Sequence, residues 1–143
     1  MKSYLLLCTI ALFSHWAFSQ SSPAQRVQQA YTSQDLNVMT NEQRVALEFR
    51  AEKLCWFEDL KSQSETSWFA LTDKSGNSVM FTDDMVNDFN PLLYNLPQQA
   101  NRCENLPIQT TSGRNYLLIV RSEEMMQKEW ERRVIKNAKT NAK

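Results

Sequence analysis

Histidine is the side chain most often used as a general base, a triad member or a zinc ligand. This 143-residue sequence has one, His15, in a segment expected to be removed. Residues 1–19 read as a secretory signal peptide. Lys2 supplies the positive start, Tyr4 to Phe13 an apolar run, and Ala17-Phe18-Ser19 a small-x-small cleavage site before Gln20. A chain starting at Gln20 holds no imidazole, which removes the commonest general base, triad member and zinc ligand in one step.

Carboxylates are the next candidates. Asp83, Asp84 and Asp88 are close in sequence, and Asp73 occupies a nearby turn. Oxygen ligands suit hard cations, yet Asp73-Lys74-Ser75-Gly76 lacks the alternating acids of a calcium loop. Helix capping explains Asp83 and Asp84 without a metal. Paired carboxylates could still run a glycosidase-type hydrolysis, which needs no histidine, although no pair stands out. A serine nucleophile with a lysine base is likewise permitted and unsupported. No catalytic residue, metal site or cofactor is therefore expected.

Cysteines complete the set. Cys8 sits inside the apolar run, and Leu7 before it is not the small residue that lipidation requires. Cys55 and Cys103 remain, and an even pair in an oxidising compartment points to a disulfide. Across about 48 residues it would contribute roughly 4 kcal/mol on a chain-entropy argument. A redox role lacks the CxxC spacing and an activating histidine.

Removing Lys2 from 16 basic and 16 acidic residues leaves a net charge of −1, which gives nucleic acid no basic face to bind. No second apolar stretch approaches the ~20 residues of a membrane span. The Phe18-Ser19-Gln20 junction resembles those of exported Bacteroidota proteins, which implies a bacterial, periplasmic or extracellular protein. Both glycines, Gly76 and Gly113, fall in Ser-Gly turns, leaving none for a phosphate-cradling loop. After Glu131 come Arg132, Arg133, Lys136, Lys139 and Lys143 with no acid. The helix dipole accounts for such a tail; weak contact with an anionic surface is the sharper reading.

The elements that would position these residues follow from pattern. Residues 20–39, rich in Gln and Ser, are expected to form a mobile arm, and residues 40–143 a single α+β domain. Thr40 and Gln43 make a capping box for a leading helix expected to reach about Leu60. On its projection Val45, Phe49, Trp56 and Leu60 form one stripe, with Leu47, Ala51 and Leu54 nearly opposite. Two hairpins follow, Trp68–Thr72 with Val79–Thr82 and Ile108–Thr111 with Tyr116–Arg121. They imply an antiparallel sheet of about four strands.

Each hairpin runs into a similar helix start, Thr82-Asp83-Asp84-Met85-Val86-Asn87 and Ser122-Glu123-Glu124-Met125-Met126-Gln127. A ββα repeat is one explanation; convergence on good caps is the other. Asn90-Pro91 breaks the first copy, whereas the second helix should run from Glu123 into the late 130s.

Large side chains on both faces of Trp68-Phe69-Ala70-Leu71, added to the two-sided first helix, exceed what a lone small domain need bury. The sequence thus points to a non-catalytic exported binding module, an accessory or docking subunit of a cell-envelope assembly whose partner is another protein. Val45, Phe49, Trp56, Leu60 and Trp68 are its expected contact residues. An inhibitor of a secreted or periplasmic enzyme is the alternative, and a small carboxylate-based hydrolase a third. The layout is similar in outline to small exported inhibitor and outer-membrane assembly accessory domains, though no motif carries that likeness.

Overall fold

The computed structural model describes residues 20–61 and 67–141; the signal-peptide reading lies outside them. Residues 20–39, expected as an arm, carry α1 (Pro23–Ala30) and α2 (Ser33–Val38). Each opens with a capping box, Ser22 with Gln25 and Thr32 with Asp35. Val27 anchors α1 by packing with Ala51 and Leu92 in a small second core.

The leading helix, α3 (Asn41–Lys53), starts at the predicted box. Gln43 N–H donates to the Thr40 hydroxyl at 3.2 Å, and Thr40 N–H donates to Gln43 Oε1 at 2.8 Å. It stops seven residues short of the expected Leu60. Leu54 closes it, and the chain turns into strand β1 (Cys55–Asp59). The aromatic pair Trp56-Phe57 suits a strand as well as a helix. What decides is tertiary: β1 forms a ladder with a partner near the C-terminus, begun by Arg121 N–H to Leu54 C=O at 2.8 Å.

After α4 (Asp83–Asn87) and a 3₁₀ turn at Pro91–Leu93 come β2 (Glu104–Gln109), β3 (Asn115–Val120) and α5 (Glu123–Asn141). The sheet is antiparallel in the order β1-β3-β2. It has three strands, not the expected four, and among the described residues one hairpin, β2–β3. That hairpin turns through Gly113 at φ 87°, a conformation that glycine adopts without a Cβ clash. Pro107, which has no N–H to give, is tolerated because β2 is an edge strand.

The predicted first hairpin does not form a ladder. Its turn is closed locally by Asp73, whose Oδ1 accepts the N–H groups of Ser75 and Asn77, each at 2.9 Å. Pairing then stops at one bridge, Thr72 to Ser78, and Asp73 bridges to Tyr94 instead. The flanking segments lean on the real hairpin through Phe69 N–H to Pro107 C=O at 2.6 Å and Thr111 N–H to Phe81 C=O at 2.8 Å. The ββα likeness ends here too. Met125 N–H bonds the Ser122 hydroxyl, while Thr82 makes no side-chain cap.

Residues opposite one another in an antiparallel ladder share a face. Phe57 and Leu106 therefore flank Leu118, and with Tyr116, Val120 and Ile108 they meet Phe49, Leu71, Phe81, Phe89 and Met126 in the main core. Phe57 stacks on Phe81 at 5.3 Å and meets Phe89 edge-on at 5.1 Å.

Candidate functional site

Two helices frame a largely apolar concavity. Val45 and Phe49 lie one turn apart on α3, and Met126, Trp130 and Val134 follow the same spacing on α5, so each set forms a row. The rows meet where Phe49 and Trp130 pack edge to face at 5.2 Å. Arg133 adds its guanidinium 5.8 Å from the Phe49 ring and reaches Glu52 at 3.6 Å. Helices that touch at one crossing leave clefts on either side of it. The larger, about 500 Å³, is lined by Ala46, Leu47, Phe49, Met126 and Trp130 with Arg50 among its polar residues. The smaller, about 270 Å³, has Val45, Trp130, Arg133 and Val134 in its wall. Arg50 is held in place, donating to Gln98 Oε1 at 3.0 Å, and Gln98 in turn donates to the Arg121 carbonyl at 3.0 Å. An apolar floor with oriented polar groups suits a side chain or helix of a partner more than a reaction.

The expected contact stripe is divided among three places. Val45 borders the smaller cleft, and Phe49, 5% exposed, is core whose edge floors the larger one. Trp56 alternates away from Phe57 onto the outer sheet face beside Ile119. Its indole N–H donates to Glu58 at 3.0 Å, and Arg121 lies 5.2 Å over its ring. Leu60 extends the β1 pairing through its N–H to Asn115 C=O at 3.2 Å. Trp68 is half-buried next to Phe69. The expectation missed the α5 wall, although the Met126–Trp130–Val134 row was legible; sequence does not say which helices meet.

Cys55 and Cys103 are both free thiols, so the expected disulfide is absent. Cys55 pairs with Val120 at the end of β3, and Cys103 lies one residue before Glu104, which pairs with Val120 from the other side. Cys103 instead sits 3.3 Å from the Met125 sulfur. Burial pushes the Cys55 thiol up to about 12, against the pull of Arg26, Arg121 and Arg50. It is a neutral packing group.

A polar pocket of about 350 Å³ at the far end of the sheet collects Asp59, Asp83 and Asp84 with Arg114, Phe57 and Tyr116. Asp59 joins this group only because β1 exists. The Ser112 hydroxyl donates to Asp83 at 2.6 Å and, with Thr110 and Arg114, outweighs desolvation to lower its pKa. Asp83 therefore stays ionised and accepts hydrogen bonds; it is not the raised carboxyl that a proton donor needs. Asp73 is committed to its own turn and Asp88 to Ser21 and Arg26. Among the described residues no group of three or more His, Cys, Asp or Glu is placed to hold a metal ion. No helix among them is long and apolar enough to cross a membrane.

Compared with family models, curated proteins and solved structures, the chain matches none.

Proposed function

We propose that this chain is a non-catalytic exported binding module, an accessory or docking subunit of a bacterial cell-envelope assembly. The observation that carries the reading is the apolar cleft between α3 and α5, walled by Leu47, Phe49, Met126 and Trp130 and rimmed by Arg50, Glu123 and Gln127. Its occupant is a segment of another envelope protein with an apolar anchor for the floor and polar groups for the rim. Export rests on the Lys2-to-Ser19 pattern.

A photo-crosslinking residue at Ala46, an exposed position on the cleft wall, tests this in intact cells. One envelope protein cross-linked in stoichiometric amount, and lost when Leu47→Asp is added, is the expected result. Absence of any adduct from Ala46 overturns it. In that case inhibition of a secreted enzyme by the purified protein would move the inhibitor alternative to the front.

A further inference from the structure

The second half of α5 lies outside the larger cleft, whose lining ends at Trp130. α3 reaches it through Trp130, Arg133 and Val134, which share one side of the helix. At 100° per residue, Val134, Ala138 and Ile135 turn progressively away from that side. Val134 is 50% and Ile135 55% exposed. Two adjacent β-branched aliphatics on an otherwise charged helix end are not needed for helix propensity or solubility.

The charges of α5 are segregated. Glu123, Glu124, Glu129 and Glu131 occupy its first half and Arg132, Arg133, Lys136 and Lys139 its second, with Lys128 the one exception. A helix acidic at one end and basic at the other is complementary to a copy of itself run antiparallel. A two-fold axis beside Ile135 sets Ile135 against its counterpart, with Val134 and Ala138 flanking it in the same apolar patch. It also brings Glu131 of one protomer to the Lys139 region of the other. Such an isologous contact repeats each pair twice.

We propose that two copies of this chain associate through an antiparallel α5–α5 contact centred on Val134 and Ile135, registered by Glu131–Lys139 pairs. An anionic membrane is the poorer occupant. The acidic half of α5 would be repelled by it, and the exposed face offers no aromatic residue to insert, since Trp130 is taken up by Phe49. The contact is small, so association in the tens-of-micromolar range is expected. It is independent of the Leu47 cleft, whose variants leave it unchanged.

Sedimentation equilibrium of the protein secreted from a bacterial host decides the matter. At about 100 µM the expected species is a dimer. Val134→Asp with Ile135→Asp, both at exposed positions, should give a monomer with an unchanged circular dichroism spectrum. Glu131→Lys or Lys139→Glu alone should weaken the dimer about tenfold, and the two together should restore it, because the swapped charges again face each other. A monomer at that concentration, a dimer indifferent to these variants, or no rescue by the double swap would overturn the proposal. So would a monomer that binds vesicles containing phosphatidylglycerol through the same residues.

Discussion

Ser21 grips Asp88 across 67 residues of sequence, its backbone N–H on Oδ1 at 3.0 Å and its hydroxyl on Oδ2 at 2.7 Å. Arg26 adds an ion pair to the same carboxylate at 3.2 Å. This clamp, with Asn90 donating to the Arg26 carbonyl at 2.8 Å, ties α1 to the body of the domain. Desolvation pushes the Asp88 pKa up, but Ser21 and Arg26 outweigh it and the net shift is downward. A lowered carboxylate adds stability that is full above its unfolded pKa of about 3.9 and is lost as the pH falls through the folded value. Asp88→Asn should therefore cost about 1 kcal/mol at pH 7, allowing for solvent screening of a partly exposed group. The gap from the unaltered protein should close below about pH 4. Urea unfolding at a series of pH values measures it, and a gap constant with pH would remove the clamp.

The cysteines offer a second check. The chain without residues 1–19, denatured and never reduced, should titrate two thiols, because Cys55 and Cys103 are both free and Cys103 lies against the Met125 sulfur. In the native protein at pH 8, iodoacetamide should modify Cys103 and spare Cys55, whose thiol stays protonated until about 12. Peptide mapping reads both. A count of zero would mean that the two thiols are joined and that the loop before β2 runs differently.

Neighbouring aromatics in β1 should behave differently. Phe57→Ala removes a ring packed on Phe81 and Phe89 and should cost about 3 kcal/mol. Trp56→Ala, on the outer face under Arg121, should cost about 1 kcal/mol. Thermal or urea unfolding of the two variants compares them. Equal costs would contradict the alternation of a strand.

Much of the local structure was legible. The Thr40–Gln43 box, the Gly76 and Gly113 turns, the Asn90-Pro91 break and the start of α5 appear where the pattern put them, and the β2–β3 hairpin has its expected turn, although its first strand begins at Glu104 rather than Ile108. Helix caps and tight turns are made by residues within a few positions of one another, so their energetics are written in short stretches of sequence. The pattern erred where a distant partner decides. On a helical projection Phe49, Trp56 and Leu60 fall on one stripe, but β3 offers the backbone of residues 55–59 a ladder, and the helix ends at Lys53. Likewise the apolar runs around Gly76 touch the β2–β3 hairpin by single backbone bonds and form no ladder with each other beyond one bridge, and Asp73 closes their turn on itself.

The candidate site shows the same division. Sequence by itself determined the two apolar rows, Val45–Phe49 and Met126–Trp130–Val134, which depend only on helical period, and the basic end of α5, which is written in residue order. The tertiary structure alone decided that these rows cross at Phe49 and Trp130, that clefts open beside the crossing, and that Trp56 and Trp68 belong elsewhere. It alone gathered Asp59 with Asp83 and Asp84 and left the two cysteines unjoined. Those are contacts between segments tens of residues apart. They are selected by which arrangement of the whole chain buries the most apolar surface while pairing its backbone, and no local pattern records that.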